Sequence, residues 1–288
     1  IIMKILICGH RSYAARNFKE KLENAGHEVW CFSRGDIMVN NHVITGPVME
    51  MDKNPYLKAI SVEVVINFIL LDGQSVDDNL KYIDALCKWC KQTGVKRLVH
   101  MSSISVLSNS VCQVDEDTPI DSHPELKGKY GALKVAVDNK LLHWGKLSGI
   151  QVVLARPGFI TAQDKKNALA GIAKMLPGGF AILMGNRKST LPVIDRDELQ
   201  RGLQNAIEAE NPLKVYLMVE AGDHTKIEYL RTLAPKVKVI ALPKGIVIFV
   251  AHLLKVIGVF DDRKVQMVAG LFKVQHFNAE RTFCKINN

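Results

Sequence analysis

A tyrosine and a lysine four residues apart form the pattern in this chain that is most typical of catalysis. In the sequence Tyr130-Gly131-Ala132-Leu133-Lys134 the two side chains lie on one face of a predicted helix, close to its start. An ammonium group beside a phenol favours the phenolate and lowers a pKa that is normally about 10. The pair therefore predicts that Tyr130 gives or takes a proton while Lys134 adjusts its pKa.

Hydroxyl groups follow a buried strand upstream of this pair. Residues 97–101 predict a strand that ends at Ser102-Ser103-Ile104-Ser105. A hydroxyl at the carboxyl end of a parallel strand can hold a substrate oxygen. We therefore expect Ser103 to act with Tyr130 and Lys134, and Ser105 to contact the substrate.

A degenerate phosphate loop follows the first predicted strand, residues 3–8. Gly9 is kept, but Ser12 and Ala15 stand where a G-x-x-G-x-x-G loop has its second and third glycines. The loop lies between a strand and a predicted helix whose N-terminus would point at a pyrophosphate. The candidate cofactor-binding residues of this loop are Gly9, Arg11, Ser12, Tyr13 and Ala14.

The end of the second predicted strand, residues 28–32, bears on the choice of cofactor. Folds that bind NAD commonly carry Asp or Glu at this position, where it binds the ribose 2′-hydroxyl. This chain has Ser33 and Arg34 there, and Arg34 together with Arg11 would suit a 2′-phosphate. We expect both residues of this strand end to contact the cofactor and NADP(H) to be preferred, with NAD(H) as the alternative. The competing interpretation is that both arginines are solvated surface residues.

Short apolar runs alternate with helical patterns in the first half of the chain. Strands are predicted at residues 3–8, 28–32, 42–45, 62–70, 97–101 and 151–155, and long helices at residues 77–93 and 126–148. This alternation predicts an α/β fold with a Rossmann-type, doubly wound parallel sheet that binds ligands at the carboxyl ends of its strands. Asn67 and Phe68, near the end of the fourth run, are therefore expected to contact the cofactor.

The pattern changes after Arg156-Pro157-Gly158, where glycines and prolines separate shorter elements. We expect a dinucleotide-binding Rossmann domain over residues 1–158 and a smaller substrate-binding domain over residues 159–288. One strand near residues 215–220 is expected to return to the sheet of the first domain.

Charge and cysteine content narrow the classes of partner and the compartment. The net charge of +9 is spread without a run of five like charges, which indicates an anionic ligand rather than a nucleic acid. The six cysteines are irregularly placed, as in proteins of a reducing cytoplasm. Cys87 and Cys90 have the spacing of a redox pair but lie in a predicted helix with an apolar face, so we expect core residues and no metal site.

Residues 245–260 are strongly apolar. This stretch is shorter than a membrane span and is interrupted by His252 and Lys255. It predicts a buried or partner-facing helix rather than membrane contact, and no membrane span.

With these motifs the sequence resembles the extended short-chain dehydrogenase/reductase superfamily, and within it the NAD-dependent epimerase/dehydratase family that acts on nucleotide sugars. Tyr130 and Lys134 match the family's Y-x-x-x-K, and Ser103 matches the catalytic serine of its S-S-x-x-V-Y-G motif. The resemblance implies that Tyr130 is the acid/base at a sugar hydroxyl or carbonyl and that Ser103 orients this oxygen. It also implies that Lys134 binds the nicotinamide ribose.

Further matches lie outside this trio. Asn79 matches a recurring asparagine of the family, and Arg156-Pro157-Gly158 matches its R-P-G motif. Asn79 and Pro157 therefore join the candidate cofactor-binding residues. The resemblance also implies a homodimer formed through the helices at residues 77–93 and 126–148.

Several positions depart from the family pattern. Ile104 and Ser105 replace the Asp-Glu pair of dehydratases, which argues against dehydration. Gly46-Pro47 replaces a frequent Gly-Asp, and Leu107 replaces the tyrosine of V-Y-G. Many family members have an arginine seven residues before an aspartate that starts a helix. If Asp197 is this aspartate, Thr190 occupies the position of the arginine. Nearby basic residues then become candidate diphosphate contacts, namely Arg187 and Lys188.

The leading prediction is a nucleotide-sugar 4-ketoreductase or 4-epimerase that transfers hydride between NADP(H) and a sugar carbon, in polysaccharide biosynthesis. One alternative is a reductase of a non-sugar carbonyl, such as a sterol or phenylpropanoid aldehyde, with Phe159, Ile160 and residues 245–260 forming an apolar pocket. The other is a dinucleotide-binding regulator without activity. Those regulators would be expected to lose Tyr130 or Lys134, and both are present.

Overall fold

A computed structural model describes residues 2–161, 173–183, 185–186, 190–220 and 225–287. Their strands are β1 (Lys4–Cys8), β2 (Glu28–Arg34), β3 (Met38–Asn40), β4 (Val43–Gly46), β5 (Val64–Asn67), β6 (Arg97–Met101), β7 (Gln113–Val114), β8 (Gln151–Pro157), β9 (Phe159–Thr161), β10 (Ala173–Leu176), β11 (Phe180–Leu183), β12 (Val193–Asp195), β13 (Val215–Met218), β14 (Lys238–Ala241) and β15 (His276–Phe277). The helices are α1 (Phe18–Asn24), α2 (Pro55–Ala59), α3 (Val76–Thr93), α4 (Gly128–Ser148), α5 (Arg196–Glu208), α6 (Lys226–Leu233), α7 (Lys244–Val256), α8 (Asp262–Gly270) and α9 (Glu280–Asn287).

Eight strands form one sheet in the order β13-β8-β6-β5-β1-β2-β4-β3. Every pair in it is parallel except the edge pair of β3 and β4. The chain winds outwards from β1 in both directions, so the strand order reverses between β1 and β5. This sheet confirms the predicted doubly wound α/β fold and brings the carboxyl ends of its central strands together at one edge.

Helices cover both faces of the sheet because its central strands are apolar on both sides. In β1, Ile5 and Ile7 pack with α1 and α5, while Leu6 and Cys8 pack with α3 and α4. All four side chains are fully buried. Buried runs without strict alternation therefore mark the strands correctly, and the predicted bounds of β6 match those of the structure.

Helix α1 begins later than the sequence pattern suggests. Residues 10–17 form consecutive turns, and Asn17 lies in the left-handed region with φ of 61°. The side-chain oxygen of Ser12 accepts a hydrogen bond from the backbone N–H of Ala15, which favours a turn over a helix. The helix that the sequence predicts after the glycine loop is present, but it begins at Phe18.

The part of the chain after Pro157 contributes smaller sheets and one strand of the large sheet. Strand β13 pairs with β8 in agreement with the strand predicted near residues 215–220. Strands β10, β11 and β14 form a separate sheet, and β9 pairs with β12. The boundary between two domains at residue 158 stays a prediction.

The apolar stretch at residues 245–260 forms a helix, α7, but this helix is not buried. Ala251 is its buried residue, whereas Phe249 and Val256 are 68% and 83% exposed. The expectation of a buried helix is therefore wrong, and the alternative of a partner-facing helix stays a prediction. None of the helices in the described ranges has the length and apolar character needed to cross a bilayer.

The cysteine pair of α3 faces the core. Cys87 and Cys90 are buried and unbonded. Burial raises the pKa of the Cys87 thiol to about 12 and also raises the pKa of the Cys90 thiol well above its usual value. Neither thiol is reactive as a thiolate near neutral pH, in agreement with a packing role.

Candidate active site

Ser103, Tyr130 and Lys134 line one cavity of about 830 Å³ at the carboxyl edge of the sheet. Ser103 comes directly after β6, and the other two residues lie in the first turns of α4. Strand, loop and helix thus bring together three side chains that are separated by up to 31 positions in the sequence. Their proximity is a feature of the fold that the sequence pattern predicts.

Ser103 is held in place by the turn that follows β6. Its backbone is extended, and its Oγ accepts a hydrogen bond of 3.1 Å from the backbone N–H of Ser105. This contact caps the short 3-10 helix Ile104–Val106. Ser103 and Tyr130 line the same cavity, and the serine side chain acts to lower the pKa of the phenol.

The pKa of Tyr130 departs from the sequence-based expectation. Burial raises the pKa of its hydroxyl above the usual value, although the hydrogen bond with Ser103 acts in the opposite direction. The ring itself is half exposed in the cavity. The expectation that Lys134 lowers this pKa is wrong for the protein alone, and Tyr130 stays protonated at neutral pH.

Lys134 is directed towards the backbone of β6 rather than towards the tyrosine oxygen. Its Nζ donates a hydrogen bond of 2.6 Å to the carbonyl oxygen of Met101 and lies 5.9 Å from the centre of the Tyr130 ring. Only 4% of the residue is exposed. Burial lowers the pKa of its amine to about 8, although the nearby Asp138 acts in the opposite direction.

A buried polar network lies one helical turn beyond Lys134. The carboxylate of Asp138 accepts a hydrogen bond of 2.7 Å from Ser102 and lies 3.4 Å from Nη2 of Arg156. Asp138 has no exposed surface, and burial raises its pKa despite the opposing charge of Arg156. The network joins α4 to the strands β6 and β8 beneath the cavity.

The glycine loop forms another wall of the same cavity. Ser12, Tyr13 and Ala14 line it, as do Phe68 and Pro157. Gly9 has a φ of 83°, and a Cβ placed on it would lie 2.9 Å from Cγ1 of Ile69. Only glycine therefore allows the loop to pass this close to the chain after β5.

A second cavity, of about 470 Å³, lies on the outer side of this loop. Its lining includes His10, Arg11, Ser12 and Tyr13, so the two cavities share two residues. Arg34 is exposed at the end of β2 and is absent from the described lining of both cavities.

Two polar atoms are buried at this end of the sheet. Ser33 Oγ and His10 Nδ1 have no hydrogen-bond partner among the described residues. Sequence reasoning did not select His10, because a lone histidine beside a degenerate glycine loop carries no pattern.

Two residues that the sequence predicts to bind the cofactor form hydrogen bonds within the protein through their side-chain amides. Asn67 binds the hydroxyl of Tyr82 at 2.7 Å and the backbone N–H of Ile69 at 3.0 Å. Asn79 bonds to both backbone groups of Leu71. These side chains hold the loop after β5, and neither lines the described cavity walls.

On the substrate side, Ser105 lines the large cavity and its Oγ is buried without a partner among the described residues. Arg187 and Lys188 lie outside the described residues. The N-cap of α5 is Asp195, which accepts a hydrogen bond of 2.7 Å from the backbone N–H of Asp197. The helix-starting aspartate is therefore Asp195 rather than Asp197, and seven residues before it stands Lys188 instead of Thr190.

The far wall of the cavity comes from residues that the sequence did not mark. Lys226 and Lys273 line it with Met267 and Leu271. Burial lowers the pKa of the Lys226 amine. Phe159 and Ile160 also line it, in the expected position, but no residue of 245–260 belongs to its described lining. The prediction that this stretch forms a substrate pocket is wrong.

The doubly wound parallel sheet, with a cavity at its carboxyl edge, defines a Rossmann-type fold, and sequence comparison identifies the family. The model of the NAD dependent epimerase/dehydratase family matches residues 5–215 of the 288-residue chain. The chain belongs to this family, as its motifs predict. No curated protein matches the sequence.

Solved structures share this fold over nearly the whole chain. The dTDP-glucose 4,6-dehydratase of Bacillus anthracis in complex with NAD has a TM-score of 0.69 and 15% identity, covering 99% of this chain and 91% of that chain. The human epimerase family protein SDR39U1 with NADPH has a TM-score of 0.64 and 18% identity, covering 98% and 93%. Vestitone reductase from alfalfa has a TM-score of 0.67 and 14% identity, covering 98% and 92%. At these low identities, the structural similarity establishes a shared fold and nothing about the activity of this chain.

Proposed function

We propose that this protein reduces the 4-keto group of a nucleotide sugar with NADPH, in the synthesis of a polysaccharide. The observation that carries the proposal is that Ser103, Lys134 and a protonated Tyr130 line one cavity together with the glycine loop. Reduction of a carbonyl consumes a proton, and a phenol with a raised pKa retains one to give. Epimerisation by the same residues is the second outcome to test.

The residues of the two cavities fit a dinucleotide. Ser12 and Tyr13 belong to both linings, so one extended ligand can pass from the outer side of the loop to Tyr130. The partnerless Ser33 Oγ and His10 Nδ1 supply hydrogen-bonding groups at the end of β2. Arg11 adds the positive charge that a 2′-phosphate requires.

The chain's own groups would act on the substrate oxygen. Ser103 Oγ holds the carbonyl oxygen, and Tyr130 donates its proton to that oxygen as negative charge develops there. A bound nicotinamide dinucleotide supplies the hydride. Lys134 places its ammonium below the tyrosine ring, where it stabilises the phenolate left after proton transfer.

The cavity also suits a substrate that carries a diphosphate. Lys226 and Lys273 bring positive charge to the wall formed by the second half of the chain. Ile104 and Ser105 stand where dehydratases carry an acid pair, so the chain lacks the groups that would eliminate water. Reduction without loss of water is therefore favoured.

The activity test mixes the purified protein with NADPH and a panel of UDP-, dTDP- and GDP-linked 4-keto sugars. We expect loss of NADPH absorbance with at least one of them. No loss, together with interconversion of ordinary UDP-hexoses, would instead identify an epimerase. No reaction with either panel would contradict both activities.

The cofactor preference is tested separately by titrating NADPH and NADH. Arg11→Ala should weaken NADPH binding more than NADH binding, since only NADPH has a 2′-phosphate. Arg34→Ala is the matched comparison, because Arg34 lies outside the described cavity walls. Tighter binding of NADH by the unaltered protein would overturn the preference.

A reductase of non-sugar carbonyls is the second candidate, favoured by the apolar part of the lining. Phe159, Ile160, Met267 and Leu271 all face the cavity. A nucleoside diphosphate such as UDP or dTDP should raise the melting temperature if the substrate is a nucleotide sugar. Absence of a shift with every nucleoside diphosphate would favour the non-sugar substrate.

The homodimer through α3 and α4 also stays a proposal. The exposed residues of α3 include Lys81, Asp84, Lys88 and Lys91. A dimer formed here would bring the lysines of the two copies close together, so it should strengthen as salt screens their repulsion. Light scattering at low and high ionic strength measures this directly.

A further inference from the structure

Helix α7 carries an apolar stripe on its solvent side. Ile246, Phe249, Val250, Leu253 and Val256 recur at helical spacing and are between 45% and 83% exposed. Ile257 and Val259 continue the stripe after the helix, at 62% and 52%. We call this surface the α7 stripe. The apolar residues of a surface helix ordinarily face the protein core, so their exposure here indicates an interaction surface.

The helix is held firmly with this side outward. Ala251 is buried, and α8 is the element against which α7 packs closely in the described ranges. An ion pair joins Lys255 of α7 to Asp262 of α8. The stripe is therefore part of a packed unit and not of a loose terminal tail.

The polar side chains of this segment are all basic. Between Leu242 and Phe260 they are Lys244, His252 and Lys255, and the segment has no acidic, amide or hydroxyl side chain. Protein interfaces usually combine an apolar centre with a varied polar rim that forms about one hydrogen bond per 100–200 Å². Lys255 is paired with Asp262 of α8, so Lys244 and the net charge of +9 are what complement anionic lipid headgroups.

Against the sequence-based expectation of a partner-facing helix, we infer that the α7 stripe docks the protein on an anionic membrane surface. The helix has 13 residues and is thus about 20 Å long, too short to span a bilayer but suited to lie in its interface. Phe249 and Leu253 enter the boundary of the acyl chains, while the amine of Lys244 reaches the phosphates. Two copies of this surface would instead bring their lysines together, in a protein whose net charge is +9.

Sedimentation with vesicles tests the inference on the full chain. Vesicles of equal parts phosphatidylcholine and phosphatidylserine should bind the protein, and vesicles of phosphatidylcholine alone should bind it markedly less. Phe249→Ser should weaken binding about tenfold or more because it removes a large apolar group that the membrane would bury. Lys244→Ala should weaken it about fivefold, the effect of one lysine near an anionic surface.

Leu147→Ser is the matched control, because Leu147 is 75% exposed but lies on α4. It should leave vesicle binding unchanged, and NADPH affinity verifies that each variant is folded. Equal binding to both kinds of vesicle, or no binding to either, would overturn the inference. So would a dimer of the unaltered protein that dissociates on Phe249→Ser, because the stripe would then be an interface between two copies.

Discussion

Lys134 is an amine that the fold almost encloses, which is costly for a charged group. Its pKa is lowered by burial from 10.5 to about 8, so the folded protein binds this proton less tightly than the unfolded chain does. The charged amine therefore destabilises the fold below pH 8, and this cost disappears as the pH rises from 8 towards 10.5. The buried amine lowers the stability of the fold, but the proposed reaction needs it to stabilise the Tyr130 phenolate.

Lys134→Met removes this dependence and gives the first prediction. Between pH 8 and pH 10.5, the unfolding free energy of the unaltered protein should rise by about 3 kcal/mol relative to the variant. Urea unfolding at several pH values measures the difference. The exposed Lys129 of the same helix, changed to Met, controls for general effects of alkali. A constant difference between protein and variant would contradict the burial of a charged amine.

Asp138 gives a second prediction at this scale. Asp138→Asn removes the charge opposite Arg156, which is 3% exposed, and should lower the unfolding free energy by about 3 kcal/mol. Asp84 forms an ion pair of 2.6 Å with Lys140, but the Asp84 side chain is 64% exposed. Asp84→Asn should therefore lower the unfolding free energy by at most about 1 kcal/mol. Equal losses in the two variants would show that the buried network does not support the site.

The sequence predicts these residues to different degrees. Tyr130 and Lys134 share a helix face by their spacing alone, and Ser103 follows a strand, so their meeting could be predicted. The direction of the Tyr130 pKa shift could not be predicted, because it depends on how far the cavity walls exclude water from the phenol. That Asn67 and Asn79 contact the cofactor stays a prediction. Their amide partners could not be predicted, because these depend on the fold of the loop after β5.

At the scale of elements, the turn after β1 brings the glycine loop against the chain after β5. Gly9→Ala should lower the unfolding free energy by about 2–4 kcal/mol, since it adds a contact of 2.9 Å to an unfavourable φ. NADPH affinity should fall with it, because the same loop lines both cavities.

Gly26→Ala separates these two effects. Gly26 also has a positive φ, of 92°, but no atom lies within 4 Å of an added Cβ. This variant should lose only about 1 kcal/mol, the cost of the backbone conformation alone. Urea unfolding compares the two variants. A loss at Gly26 as large as that at Gly9 would show that the close approach to Ile69 is unimportant.

Element boundaries were predictable where burial decides them and not where local hydrogen bonds compete. Strand β6 is a fully buried run, and its predicted and observed ends coincide. The start of α1 depends on the Ser12 side chain and on Asn17, because both lie in turns that precede the helix. Helix α7 was predicted as a helix, but a segment that is apolar on every side does not reveal which side is buried.

At the scale of the whole molecule, the cavity is assembled from segments far apart in the sequence. The glycine loop, the end of β6 and the start of α4 form one side, and residues near Lys226 and Met267 form the other. No spacing rule links these two sides, so the substrate-facing wall could not be predicted. The large sheet could be, because alternating buried runs and helices leave few other arrangements.

The central claim is that Tyr130 is the proton donor beside a bound NADPH, and Tyr130→Phe tests it most directly. The variant keeps the ring and loses only the hydroxyl that meets Ser103. With a 4-keto sugar that the unaltered protein reduces, the variant should lose nearly all turnover while its NADPH affinity changes less than about twofold. Full turnover in the Tyr130→Phe variant would contradict the claim.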